Sequence, residues 1–198
     1  MTVPRVALFA RFPEPGQAKT RLIPALGADG AAALHRRLTE HVVGVLRASG
    51  LPWELRATGA PAAAFRRWLG SGIQVVDQGD GHLGKRMRRA TEPAPAILLG
   101  ADLPGLAVHH LTAAAAALQR HPAAIGPAED GGYYLLGLAT SMPFLFDAMG
   151  WGTDSVFAAT MARFAAQGIA PAVLATLADL DRPEDLQRWP AFAPGLVA

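Results

Sequence analysis

The chain predicts one α/β domain over residues 1–198, a mostly parallel sheet with helices on both faces in a three-layer α/β/α sandwich. Three observations predict it. Short apolar runs alternate with segments of helical period from one end to the other, and that alternation builds parallel sheets through right-handed crossovers. The runs Val6 to Phe12 and Ala96 to Leu99 are almost wholly apolar, as expected of strands buried on both faces. Hydrophobic residues form 51% of the chain, with the excess in alanine rather than aromatics, which suits helices lying close on a sheet. A chain of 198 residues is long enough to bury one sizeable core.

Val6 to Phe12 ends at P-E-P-G, and a polar, basic loop follows through Gln17, Lys19 and Arg21. From Asp29 the pattern turns helical: Leu34, Leu38, Val42, Val45 and Leu46 share one face. Asp29 suits the N-cap of that helix and Gly50 its stop. A second strand is expected at Trp53 to Thr58, a short helix at Ala62 to Leu69 and a third strand at Ile73 to Asp77. Gly79, Gly81 and Gly84 make the next stretch, Q-G-D-G-H-L-G-K-R-M, a loop before a short basic helix. After Ala96 to Leu99 comes an alanine-rich helix from about Val108 to Arg120. Ala123 to Pro127 and Tyr133 to Leu138 read as strands around E-D-G-G, where Asp-Gly is a strong hairpin signal. Trp151 to Thr153 is a turn, Asp154 to Gln167 a helix and Ala172 to Leu177 a last strand. In D-L-D-R-P-E-D-L, Pro183 suits the first turn of a terminal helix and the acids its positive end.

Composition removes several function classes. Net charge is +2 with no clustering of basic and aromatic residues, so a nucleic-acid partner is not expected. Cysteine is absent, which excludes disulfides, a thiolate nucleophile and Cys-ligated zinc. The N-terminal apolar run is too short for a signal peptide, and no stretch approaches the ~20 apolar residues of a membrane span. The expectation is a soluble, cytoplasmic protein.

Five segments could carry chemistry. Loops at the carboxyl ends of parallel strands form the ligand crevice of such sheets, which draws attention to Asp102 in G-A-D-L-P-G just after Leu99. Asp102 suits a metal or substrate ligand there; it equally suits the cap of the helix that starts near Ala107. The loop R-F-P-E-P-G-Q-A-K-T-R places Arg11, Lys19 and Arg21 at the end of the first strand. Guanidinium forks and an ammonium suit the phosphates of a nucleotide, although the loop is no P-loop and also reads as a plain solvated segment. Gly79, Gly81 and Gly84 would let backbone N–H groups approach a flat ring or a phosphate; Lys85, Arg88 and Arg89 read as a solvated face. Asp130 stands on the hairpin turn, where it either faces a cleft or serves the turn alone. Asp179 and Asp181, two apart, share a side of an extended segment. A hard cation needs one or two carboxylates plus substrate phosphates, and Asp102 with Asp181 meets that need if their strand ends converge; helix capping by Asp181 is the other use.

The order of these motifs says more than any one of them. F-A-R-F-P-E-P-G-Q-A-K-T-R-L, Q-G-D-G-H-L-G-K-R-M, G-A-D-L-P, G-P-A-E-D-G-G-Y-Y-L-L-G-L, W-G-T and D-L-D-R-P-E-D-L span nearly the whole chain. Together they resemble a bacterial family of small proteins, the domain-of-unknown-function 2064 type, provisionally assigned as glycosyltransferases or nucleotide-diphospho-sugar transferases. That family looks like a compact glycosyltransferase-A fold and is similar to the guanylyltransferases of molybdenum-cofactor and phospholactate metabolism. The resemblance implies that Arg11, Lys19 and Arg21 bind nucleotide phosphates and that Gly79, Gly81 and Gly84 lie near the base. It implies Asp102 and Asp181 as ligands of Mg²⁺ or Mn²⁺ and Asp130 as general base. The metal-binding D-x-D signature of the fold is here Gly100-Ala101-Asp102, with one carboxylate.

The function implied is glycosyl transfer from a nucleotide-diphospho-sugar to a small-molecule acceptor, assisted by a divalent metal. The alternative is nucleotidyl transfer between a nucleoside triphosphate and a small phosphorylated or carboxylated substrate. Nucleotidylyltransferases of this fold carry L-x-G-G-x-x-x-R-[MF] in the first loop, where this chain has F-A-R-F-P-E-P-G, so glycosyl transfer leads. A second alternative, a nucleotide-binding protein without catalysis, rests on the single carboxylate of the D-x-D analogue.

Overall fold

The computed structural model describes residues 2–147 and 149–193. Seven strands form one sheet: β1 (Arg5–Arg11), β2 (Trp53–Thr58), β3 (Val75–Asp77), β4 (Ala96–Leu99), β5 (Ala123–Pro127), β6 (Tyr133–Leu138) and β7 (Ala172–Val173). Five helices accompany them: α1 (Ile23–Ser49), α2 (Ala62–Leu69), α3 (Leu83–Ala90), α4 (Val108–Ala117) and α5 (Val156–Ala166). The strand order is β3-β2-β1-β4-β6-β5-β7. All neighbouring pairs are parallel except those of β6, which runs against both β4 and β5.

Alternation along the strands feeds two cores, one on each face. Val6, Leu8 and Ala10 of β1 pack with Val42 and Leu46 of α1, Phe65 of α2 and Leu111 of α4. Ala7 of β1 and Leu98 of β4 point the other way, to Met87 of α3 and Phe164 of α5. The three expected layers are therefore present. A third cluster lies beyond the sheet edge: Leu22, Leu34 and Leu38 meet Leu180 and Leu186, with Trp189 and Phe192 packed against them.

Several boundaries differ from expectation, each for a local reason. The first helix does not begin at Asp29 as its cap. It begins at Ile23 and is interrupted at Gly27, whose φ of 69° and ψ of 170° are available to glycine. Asp29 thus lies in the first turn of the main run, where an acid meets the positive end of the helix. Gly50 ends α1 at φ 69°, as expected. The strand expected at Ala172 to Leu177 pairs only at Ala172–Val173, and Leu177 returns as an isolated bridge to Ala128. The terminal helix is a 3₁₀ turn, Pro183–Gln187. Gly84 belongs to the first turn of α3 and not to the loop before it. Among the described residues no helix is long and apolar enough to cross a membrane.

Topology decides where the polar loops meet. The chain runs β1 to β2 to β3 on one side, then returns to place β4 on the other side of β1. The β1/β4 junction is therefore the switch point at which open α/β sheets bind ligands. Because β6 is reversed, the β5–β6 hairpin turn also arrives at the edge where β1, β4 and β7 end. Leu180, fully buried, anchors the last acidic segment at that edge. Leu180→Ala is expected to cost about 2–5 kcal/mol, measured as a lowered midpoint in urea unfolding.

Candidate active site

Lys19 is the hub of the site. It adopts the left-handed conformation (φ 51°, ψ 43°), uncommon for a residue with a Cβ. Its side chain is only 3% exposed. The ammonium donates to the Leu180 carbonyl at 2.5 Å and lies 2.8 Å from Asp102 Oδ1 and 3.4 Å from Asp181 Oδ1. Arg21 Nη1 holds the other oxygen of Asp181 at 2.5 Å. The backbone closes the same junction, since Leu180 N–H donates to the Asp102 carbonyl at 3.0 Å. The ends of β4 and of the segment after β7 therefore converge, and both carboxylates meet one cation.

The structure decides between the roles open to these acids. Asp102 does not cap α4: Ala107 holds the N-cap position, and His110 Nδ1 accepts the Ala107 N–H at 3.0 Å. Nor does Asp181 cap the final turn. Asp185 Oδ2 accepts the N–H groups of Asp181 and Arg182 at 3.0 and 2.7 Å, which leaves the Asp181 carboxylate to the two cations.

His35, on α1, completes the inner wall. Its Nε2 donates to the Arg11 carbonyl at 3.0 Å, and Nδ1 faces Asp102 Oδ1 at 3.6 Å. Asp102 is divided: Oδ1 is buried, while the side chain as a whole is 44% exposed, so its outer part opens to the cleft. Burial pushes the Asp102 carboxyl up, but the Lys19 ammonium and the His35 ring outweigh it and hold it well below the usual carboxylate range.

A 150 Å³ hollow runs from Asp102 past Gly100 and Tyr134 to Asp130 and Asp179. It adjoins a larger cleft of about 480 Å³, lined by seven carboxylates and three guanidiniums. Asp130 Oδ1 accepts the Gly132 N–H at 2.8 Å, so turn chemistry engages one oxygen and the other is left to the cleft. Across from it, burial and the Asp130 charge push the Asp179 carboxyl up to about 6. On the other side of Gly100, a 170 Å³ apolar slot lies between Phe9, Leu98, Tyr133 and the α3 residues Leu83 and Met87.

The remaining expected residues have other immediate partners. Arg11 reaches Gln17 at 3.3 Å on the exposed side of the loop. Gly79 and Gly81 have φ of 72° and 100°, and their loop is tied to α3 through Arg89, which donates to the Gln78 and Asp80 carbonyls at 2.7 and 2.6 Å. Arg89 is therefore a loop clamp and not part of a solvated face. Gly84 is a packing position: a Cβ there would lie 2.5 Å from the Phe146 carbonyl and 2.7 Å from Trp151 Nε1. Sequence reasoning did not single out His35, which reads as one more polar residue on α1, and named Asp179 only as the neighbour of Asp181. The D-L-D alternation around buried Leu180 was the signal for both acids.

Two carboxylates aimed at one cationic position, beside an open polar cleft, fit a hard divalent cation that takes its other ligands from phosphates and water. Among the described residues there is no group of three or more His, Asp or Glu placed to hold a metal ion. Asp102 and Asp179 have opposite linkage. Asp102, held low, stabilises the fold above the ordinary carboxylate range and loses that contribution on acidification. Asp179, held high, makes its ionisation costly above about pH 6, and that cost is absent below about pH 4. Asp179→Asn is accordingly expected to stabilise the fold by about 1–2 kcal/mol at about pH 7.5, after solvent screening, and to change it little at about pH 3.5; urea unfolding at the two pH values measures this.

Comparison with known proteins agrees with the fold. No curated protein matches the sequence. Among solved structures, a Desulfovibrio desulfuricans protein provisionally described as a nucleotide-diphospho-sugar transferase is 30% identical, with a TM-score of 0.86 over 92% of this chain and 84% of its own. A CMP:2-keto-3-deoxy-manno-octonic acid synthetase complexed with CTP is 11% identical, with a TM-score of 0.60 over 96% of this chain and 98% of its own. Rv0371C of Mycobacterium tuberculosis, in complex with manganese, is 17% identical, with a TM-score of 0.56 over 94% and 97%. The last two likenesses concern the fold alone. The model of one family, "Uncharacterized protein conserved in bacteria (DUF2064)", matches residues 42–153, more than half of the sequence, and the chain belongs to that family.

Proposed function

We propose that this chain is a nucleotide-dependent transferase that moves a glycosyl group from a nucleotide-diphospho-sugar to an acceptor hydroxyl. The observation that carries the reading is the convergence of Asp102 and Asp181 at the β1/β4 switch point, with an open polar cleft beside them. The description of the 30%-identical relative as a nucleotide-diphospho-sugar transferase supports it, as does the manganese complex of a protein with the same fold.

Each residue has a physical task in that reaction. Asp102 and Asp181 would hold Mg²⁺ or Mn²⁺, which supplies charge neutralisation to the departing diphosphate. Arg11 and Arg21, at the mouth of the same loop, add guanidinium donors for the phosphates. The acceptor oxygen attacks the anomeric carbon as the bond from that carbon to the diphosphate breaks. The free oxygen of Asp130 takes the hydroxyl proton. Asp179 lines the same cleft as Asp130.

The cleft also bears on the acceptor. Seven carboxylates against three guanidiniums suit a neutral, hydroxyl-rich molecule and repel one that brings its own phosphate or carboxylate. Nucleotidyl transfer, which needs such a substrate, is the second reading; its specific support is the fold likeness to a synthetase complexed with CTP.

Purified protein incubated with Mn²⁺ and labelled nucleotide sugars is expected to release nucleoside diphosphate in the presence of a polyol acceptor. Pyrophosphate release from a nucleoside triphosphate with a phosphorylated co-substrate would establish the second reading instead. Asp130→Asn is expected to lower kcat by about 10²–10⁴ with nucleotide affinity unchanged, read by steady-state kinetics and calorimetric titration.

A further inference from the structure

The Lys19 ammonium lies within 3.4 Å of three oxygens: the Leu180 carbonyl, Asp102 Oδ1 and Asp181 Oδ1. Among the described residues no other cation reaches both acids. Arg21 touches only Asp181, from its outer oxygen, and the neutral or charged His35 ring stands behind Asp102. Lys19 is also the only described residue other than glycine with a positive φ, so the loop after β1 is bent into an uncommon conformation where it delivers this side chain. Strain of this kind clusters at functional sites.

We infer that Lys19 is a resident counter-cation that keeps free divalent metal out of the Asp102–Asp181 pair and makes metal binding depend on the arrival of a diphosphate. This rests on the metal-dependent reading of the site given above.

Mg²⁺ binds carboxylate oxygens at about 2.0–2.1 Å. The ammonium is 2.8 Å from Asp102 Oδ1, so a metal on that oxygen would lie within about 5 Å of it. Two like charges would then compete for the same oxygens in a largely buried place, where screening is weak. Lys19 and Arg21 together already balance the two carboxylates, so a free metal ion meets no net negative charge at the pair. A diphosphate changes that balance. Its oxygens offer the ammonium an alternative partner, and Lys sheds one acceptor for another as a flexible point charge. Withdrawal of Lys19 leaves Arg21 alone against the two carboxylates, so a net negative charge returns to the pair when phosphate oxygens are present to complete the metal's coordination. Metal and nucleotide therefore bind as a unit.

The test uses the full chain with Mn²⁺ alone and Mn²⁺ with inorganic pyrophosphate, followed by paramagnetic resonance of free Mn²⁺. Wild type is expected to bind Mn²⁺ alone at least tenfold more weakly than Lys19→Met, and pyrophosphate is expected to tighten Mn²⁺ at least tenfold in wild type but not in Lys19→Met. Asp102→Asn in the Lys19→Met background should remove the gain, which ties it to the acid pair. Wild type binding Mn²⁺ alone as tightly as Lys19→Met overturns the inference and leaves the metal site standing. Absence of Mn²⁺ binding in both proteins, with and without pyrophosphate, overturns the metal-dependent reading and the inference with it. Should Lys19→Met not fold, the melting temperature of wild type decides the matter: unchanged by Mn²⁺ alone and raised by Mn²⁺ with pyrophosphate is the supporting result, and raised equally by both is the opposing one.

Discussion

One ammonium joins three parts of the chain that lie far apart in sequence. Lys19 belongs to the loop after β1, Asp102 follows β4, and Leu180 is 161 residues from the lysine that donates to its carbonyl. Beside that contact, the loop after β1 and the segment after β7 share the Arg21–Asp181 ion pair and apolar packing through Leu22, Leu34 and Leu180. A buried ammonium surrounded by two carboxylates and a carbonyl is a demanding arrangement, because removal of any member leaves a charge in a poorly solvated place. The arrangement also fixes position: Asp102 is held by Lys19 through Oδ1 alone, and Asp181 is held through both of its oxygens. In this way the contact that closes the fold at this edge also aims the acids of the site.

Around this hub, glycines set how closely the walls approach. A Cβ on Gly131 would fall 2.0 Å from the Asp154 carbonyl, so the turn that carries Asp130 lies directly against the segment that carries Thr153 and Asp154. Gly126 admits the Tyr134 ring, whose atoms would lie within 2.4–2.8 Å of a Cβ there. Tyr134 then reaches across to the Ala175 carbonyl at 3.2 Å, which steadies the short β7 edge. Glycine at these positions reflects backbone and ring approaching too closely for any side chain.

The layers, the mostly parallel sheet and most elements were legible in the sequence because they follow from period and from apolar runs. Trp53–Thr58, Ala62–Leu69, Ala96–Leu99 and both hairpin strands stand where those patterns put them. Boundaries differ where tertiary contacts override local preference, as at Ile23–Leu26, a turn of helix held by the third core cluster before Gly27. For the candidate site, position was legible and partnership was not. That Asp102, Asp181 and Lys19 lie at one edge follows from strand order; that the lysine is spent on the acids, and that His35 stands behind Asp102, depends on contacts between elements with no shared sequence signal. Gly84 shows the reverse confusion: a glycine beside glycines looked like part of a ligand loop, and it is glycine because Trp151 and Phe146 press on α3.

The reversal of β6 divides the working edge into two halves built differently. On the β1–β4 half, each strand passes into a helical crossover, so its loops are bound to the architecture and a change there disturbs the layers. On the β5–β6 half, a five-residue hairpin turn, 128–132, enters the edge without any crossover and leans on the separate segment 150–155. That half is set by one turn and by the segment it leans on, with no helix between its two strands. The acids of the candidate site are divided between these halves: Asp102 leaves β4 into the crossover through α4, and Asp130 stands on the hairpin turn.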